Sequence, residues 1–259
     1  MAVSIGTNSA AQLAAHHLSV NRQTLEQSMT RLASGKRINS AADDAGSLGV
    51  AASLLANIKG ADMAKQNANA AIAAVQVADG ALVEVEVMLQ RIRELAVQKA
   101  STGTYSATDI TNMESEITQL LAEVADIETN TKFNGTQVTT MNLNPAVRQD
   151  GGTVTMALPA FLDGTEIDKD SDAGDADVLI NSVAAARGSL GAFLNRLTST
   201  VNNLSSVSAN TTAAYSRVMD TDYAKETAEV ARGQVLQQAG AAVLAQANAS
   251  QQYVLTLLQ

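Results

Sequence analysis

From Ala61 to Ala96 the apolar positions keep strict time. Ala61, Ala64, Ala68, Ala71, Val75, Ala78, Leu82, Val85, Leu89, Ile92 and Ala96 recur at alternating spacings of three and four, which is a heptad seam. No proline interrupts it, and Gly80 lies off it. The pattern predicts one long, straight helix for which the rest of the chain supplies partners. Alanine in its first half lets a partner helix approach closely. At its end Gln90, Arg91, Arg93, Glu94, Leu95 and Val97 fall off the seam and are expected to face outward.

The other segments follow the same rhythm with varying strength. A first helix is predicted from about Ser9 to Ala33, on Ala11, Ala15, Leu18, Arg22, Leu25, Met29 and Leu32. That seam is weak, and a segment of this length is marginal alone in water. Ser34 to Ser40 breaks the period as a connector, and Asp43 and Asp44 stand where acidic side chains favour the start of the next helix. Ser101 to Tyr105 is a turn, and Ser106 with Asp109 fits a loose capping box. The following seam, Ile110, Met113, Ile117, Leu120, Val124 and Ile127, is the cleanest, and the short turn before it makes this helix antiparallel to the long one.

From Asn130 the pattern changes. Asn134-Gly135 is a strong turn signal. Thr136 to Thr140 and Thr153 to Leu158 are predicted to pair as a small hairpin, and Asp163 to Asp177 as a solvated loop. Helix returns on Ile180, Val183, Arg187, Leu190, Leu194, Leu197, Val201, Leu204, Ser208, Thr211, Tyr215 and Val218. A last helix is carried by Leu236, Gly240, Val243, Ala247, Ser250, Val254 and Leu257. The expected fold is mainly α: a long, antiparallel, coiled-coil-like helical bundle with a small β-hairpin region. The first and last helices are natural partners, which brings the termini together.

Composition narrows the chemistry. Of 259 residues 46% are hydrophobic but only 3% aromatic, which suits thin helix bundles better than a round core. A net charge of −9 without a basic run argues against nucleic acid as a partner. No cysteine is present, so disulfides and thiolate metal sites are excluded. The N-terminus has no basic n-region, so no secretory signal is expected. No run approaches eighteen apolar residues, so no membrane insertion is expected. Arg232 is the last basic residue, so the final helix suits packing against another helix better than anionic lipid.

Catalytic constellations are nearly absent. His16 and His17, the only histidines, point about 100° apart on a helix and are read as surface imidazoles. Asp168-Lys-Asp170-Ser-Asp172-Ala-Gly174 resembles the opening of a calcium loop, but its glycine comes one position late and Leu179 stands where the bidentate Glu belongs. It is read as a solvated acidic loop. No cofactor, metal site or catalytic residue is expected, and an enzyme housed in the insert would lack a His, Cys or metal cluster to work with.

The motifs then carry a resemblance. Arg31-Leu-Ala-Ser-Gly-Lys-Arg-Ile-Asn-Ser40, Asp43-Asp44-Ala45, Asn57-Ile-Lys-Gly60, Gln90-Arg-Ile-Arg-Glu-Leu-Ala-Val97, Glu116-Ile-Thr-Gln119 and Phe133-Asn-Gly135 occur in the first part. Val201-Asn-Asn-Leu204, Asp220-Thr-Asp-Tyr-Ala224, Gln237-Gln-Ala-Gly240 and Leu244-Ala-Gln-Ala-Asn248 occur in the last. Together they resemble a bacterial flagellin over both terminal thirds in register. Ala42 stands where the family usually has Lys, and Gln251 where it commonly has Pro, so the last helix is expected to run straight through.

The resemblance implies a structural subunit that self-assembles into the flagellar filament, exported uncleaved through the flagellar type III channel to the cell exterior. A hook-filament junction protein is the alternative. It implies an inner-tube domain from residues 1–40 and 220–259, a helical core domain from 41–141 and 178–219, and a short insert, 142–177, in place of outer domains. It also implies an export chaperone, cap and junction proteins as partners. By the same resemblance, the face that an innate immune receptor contacts in the family is expected at Gln90, Arg91, Leu95 and Glu116, the face also expected at a contact between subunits. Assembly itself is expected of the terminal seams, through Leu18, Leu25, Met29, Leu32, Leu236, Val243, Val254 and Leu257.

Overall fold

The computed structural model describes residues 7–101, 103–138, 142–157 and 172–256. Among these the order is α1 (Ser9–Ser34), α2 (Ala45–Lys99), α3 (Ala107–Asn130), β1 (Lys132–Phe133), β2 (Thr136–Gln137), β3 (Asn142–Leu143), β4 (Met156–Ala157), α4 (Ala173–Met219) and α5 (Tyr223–Thr256). The chain divides into two compact units, Ala56–Asn210 and a terminal unit of Met1–Leu55 with Thr211–Gln259.

In the central unit the α2 seam is buried without exception, every residue from Ala61 to Ala96 on it being 5% exposed or less. From Ala68 to Ile92 it joins Met113, Ile117 and Val124 of α3 and Leu179, Val183, Leu190, Phe193 and Leu197 of α4 in one core. Two helices share α2, so its apolar face is wider than one seam. Ala74 and Leu95 are therefore buried too, at 1% and 2% exposure. The outward placement expected for Leu95 is corrected: it belongs to the core. In α4 the deepest line runs through Ala176, Leu179, Val183, Ala186, Leu190, Phe193 and Leu197. Ile180, Arg187 and Leu194, expected on the seam, are half-buried at its flank.

Local chemistry sets the element ends. Asp109 N–H donates to the Ser106 hydroxyl at 3.3 Å, and Ser106 N–H donates to Asp109 Oδ2 at 3.0 Å. This reciprocal box starts α3. Asp172 does the same for α4, its Oδ1 accepting from Gly174 N–H at 2.7 Å and Asp175 N–H at 3.2 Å. The helix thus begins inside the stretch expected as loop, of which residues 163–171 lie outside the described residues.

The hairpin pairs differently from expectation. Asn134 and Gly135 both have positive φ, 51° and 80°, the twist that closes a two-residue turn on its immediate neighbours. So β2 returns on β1, with Lys132 opposite Gln137, instead of pairing with residues 153–158. Antiparallel β3 and β4 form a second small ladder. The loop between them lies against α2. Asn67 Nδ2 donates to the Ala146 carbonyl at 3.0 Å. A β-carbon at Gly60 would stand 2.4 Å from the Gln149 carbonyl oxygen, so only glycine allows that approach.

In the terminal unit Gly35, with φ 68°, ends α1. The connector then binds the α4–α5 turn: Arg37 N–H donates to the Met219 carbonyl at 2.6 Å and Thr221 N–H to that of Gly35 at 3.0 Å. Ile38, Ala51 and Met219 form a small core beneath.

Candidate self-association surfaces

The helices α1 and α5 lie antiparallel, and their contact line can be followed residue by residue. Asn8 caps α1 by accepting from Ala11 N–H at 3.0 Å, and its Nδ2 donates to the Ala247 carbonyl at 3.1 Å. A β-carbon at Gly240 would stand 3.2 Å from Leu18 Cδ1, and one at Gly233 would stand 3.1 Å from Leu25 Cδ1. Asn21 Nδ2 donates to the Gly233 carbonyl at 2.8 Å. Tyr223 donates its hydroxyl to the Leu32 carbonyl at 3.3 Å.

This line departs from the expected seams. On α1 it runs through Ala11, Ala14, Leu18, Asn21, Leu25, Ser28 and Leu32, while Ala15, Arg22 and Met29 face solvent. On α5 it runs through Glu226, Gly233, Gln237, Gly240, Leu244 and Ala247, while Leu236 and Val243 are 50% and 58% exposed. On α5 Gly233 and Gly240 stand where Leu25 and Leu18 of α1 press closest, places a Met or Val would not fit. Of the expected assembly residues, Leu25 is buried and Leu18 and Leu32 half-buried, but Met29, Leu236 and Val243 are not on the line. The Val254 side chain and Leu257 lie outside the described residues.

What the pair leaves uncovered is large. Leu13, Val20, Met29, Val235, Leu236 and Val243 are each 47% exposed or more, whereas α1 itself buries only Leu25 and Ser28. A groove of about 570 Å³ follows the pair, walled by Leu18, Val20, Leu25, Leu236 and Val243 with His17 and Arg232 at its edge. At the base of the pair Arg31 Nη1 lies 3.6 Å from Glu226 Oε1, and Glu226 is 6% exposed. Arg31 Nε and that carboxylate oxygen have no hydrogen bond. A buried pair held this loosely contributes little stability.

The second surface is on the central unit. Arg91 donates from Nε to Glu116 Oε1 at 2.9 Å and from Nη1 to Glu94 Oε2 at 3.1 Å, and these carboxylates hold its guanidinium more firmly charged. Gln90, Arg91 and Glu116 are exposed together, and Leu95 lies beneath them. Among the described residues no group of three or more His, Asp or Glu side chains is placed to hold a metal ion, and no helix is long and apolar enough to cross a membrane.

Comparison with known proteins gives a consistent result. Residues 5–140 match the bacterial flagellin N-terminal helical region, and residues 174–258 match the bacterial flagellin C-terminal helical region. The chain is 35% identical to a flagellin of Bacillus subtilis over 98% of its own length and 99% of the relative's. It is 36% identical to the flagellar filament 33 kDa core protein of Treponema phagedenis over the same shares. It is 37% identical to a flagellin of Xenorhabdus nematophila over the full length of both. Among solved structures it is similar to Bacillus cereus flagellin, at 28% identity and a TM-score of 0.46, over 54% of this chain and 88% of that one. None of these relatives carries the name of a junction protein.

Proposed function

This chain belongs to the bacterial flagellin family and is a structural subunit of the extracellular flagellar filament, not an enzyme; from that premise we propose that its two terminal helices are the element that drives assembly. The exposed apolar strip of α1 and α5 carries this reading. Burial of a Leu side chain stabilises by roughly 1.5–3 kcal/mol, and fixing each residue's backbone costs about 1–2 kcal/mol. A pair that buries so few large side chains gains its order from neighbours. Stacked copies cover Leu13, Val20, Met29, Leu236 and Val243, and a contact that joins two different patches does not close, so it grows an open helical polymer.

In this proposal residues 1–40 and 220–259 line the inner tube, residues 41–141 and 178–219 surround it, and the short insert 142–177 lies outermost. Ends that order only on assembly also suit an uncleaved chain threading a narrow export channel. An export chaperone, cap and junction proteins are its further partners. Gln90, Arg91 and Glu116 present the face for a neighbouring subunit, and for a host innate receptor where one is met. The experiment is seeded growth. Full-length monomer is expected to elongate filament fragments, while a chain lacking α1 and α5 remains helical and does not. Growth by the truncated chain overturns the proposal.

A further inference from the structure

The central unit carries a polar cleft between the β3–β4 loop and α4, about 460 Å³ in volume, that the function above leaves unused. Arg148 lines it from the loop and Arg196 from α4, with the Asn203 amide beside them; the Thr200 hydroxyl, also in the lining, donates to the Arg196 carbonyl at 2.9 Å. Among the described residues neither guanidinium has an acidic partner: the ion pairs of the central unit use Lys65, Arg91, Arg93 and Arg187. Asp150 also lines the cleft, and its Oδ1 accepts from Gly152 N–H at 3.1 Å, so the site keeps a net charge of about +1.

Two glycines set its walls. Gly60 admits the Gln149 backbone against α2, and Gly152 leaves space for the Arg148 stem, whose Cδ would stand 2.6 Å from a β-carbon there. A complementary surface exists on the same chain but does not meet the cleft. On α3, Glu116, Gln119, Glu123 and Asp126 form one exposed stripe at spacings of three and four. Glu116 is engaged by Arg91, whereas Glu123 and Asp126 appear in no ion pair or hydrogen bond among the described residues.

We propose that the Arg148–Arg196 cleft receives Glu123 and Asp126 of a second copy of this chain. Two carboxylates one helical turn apart lie about 5–6 Å from each other, a spacing that two guanidiniums in one cleft can match with charge-assisted hydrogen bonds. The cleft and the stripe are different patches, so the contact is head-to-tail and compatible with continued growth. It also gives subunits that each carry a net charge of −9 a place where opposite charges meet, which sets register and association rate. The inference rests on the filament reading and adds a contact independent of the terminal helices.

The test is elongation of full-length monomer on filament fragments, compared with wild type in the same preparation. R148E/R196E is expected to slow growth by about tenfold or more, and R148Q/R196Q by less. Adding E123K/D126K to R148E/R196E reverses both sides of the contact and is expected to restore growth to within about threefold of wild type. Far-UV circular dichroism checks each monomer, and the uncharged Gln pair decides if the Glu pair melts. Wild-type growth by R148E/R196E or R148Q/R196Q overturns the contact, as does a fourfold-substituted chain as slow as its parent. Failure of the filament reading looks different, because wild type itself would then not elongate, or the chain lacking α1 and α5 would.

Discussion

Leu25 and Gly233 meet where α1 crosses α5: a β-carbon on Gly233 would stand 3.1 Å from Leu25 Cδ1. The same glycine's carbonyl accepts from Asn21 at 2.8 Å. Here the Leu25 side chain of α1 lies directly on the α5 backbone, and the small residue on α5 sets their spacing.

Gly233→Val is therefore expected to force the pair apart. Overpacking a close contact costs typically about 1–3 kcal/mol, and this pair has few other buried groups to absorb it. Seeded elongation should fall while the melting of the central unit stays unchanged. Gly233→Ala should be far milder, because the Leu25 methyl can move by the few tenths of an ångström needed and alanine favours helix by about 1 kcal/mol over glycine.

The loop contact at Gly60 behaves differently, since its neighbour is backbone. Gly60→Ala would place a β-carbon 2.4 Å from the Gln149 carbonyl oxygen, and the loop must lift. A destabilisation of about 1–3 kcal/mol is expected, with faster amide exchange at Val147 and Val154, whose N–H groups donate to Gly152 and Pro145 within that loop.

Much of this architecture was legible in the sequence, and the misses share a cause. The α2 seam was readable because eleven consecutive positions agree in phase and face a packed core. The capping box at Ser106 and Asp109 was readable because its chemistry is local. Leu95 was misplaced because a heptad describes one partner, and α2 has two here. On α1, Ala15, Arg22 and Met29 and their neighbours Ala14, Asn21 and Ser28 fit the same alternation of three and four. Gly233 and Gly240 on the partner decide between them, which no reading of α1 alone can do. The turn at Asn134-Gly135 was clear, but its positive φ values direct β2 back to β1, and strand propensity at 153–158 carries no such directional information.

Arg187 ties α4 to α2 through Asp79 Oδ1 at 3.0 Å and through Glu86. Its side chain is 34% exposed, so the network is partly screened by water and salt. Arg187→Met should lower stability by about 1 kcal/mol or less. The effect should shrink as ionic strength rises. A double-mutant cycle with Glu86→Gln measures the coupling.

Acid should loosen two ends in particular. Hydrogen bonds from the Ser106 hydroxyl and backbone hold the Asp109 carboxyl below its ordinary 3.8. The backbone N–H groups of Ser40 and Asn39 do the same for Asp43. A folded value below the unfolded one means the stabilisation is complete above about 3.8 and is lost as pH falls through the lowered value. Helical content followed by circular dichroism should hold from neutral pH down to the carboxylate range and then decline. Asp109→Asn, which cannot titrate, should decline less steeply.

The central claim is that α1 and α5 owe their order to association. Hydrogen exchange on monomer and on assembled filament, compared segment by segment, tests it most directly. In the monomer, Ser9–Ser34 and Tyr223–Thr256 should exchange far faster than Val75 to Ile92, and in the filament they should become protected to a similar degree. Monomer ends protected as strongly as Val75 to Ile92, or filament ends that still exchange freely, would contradict the account.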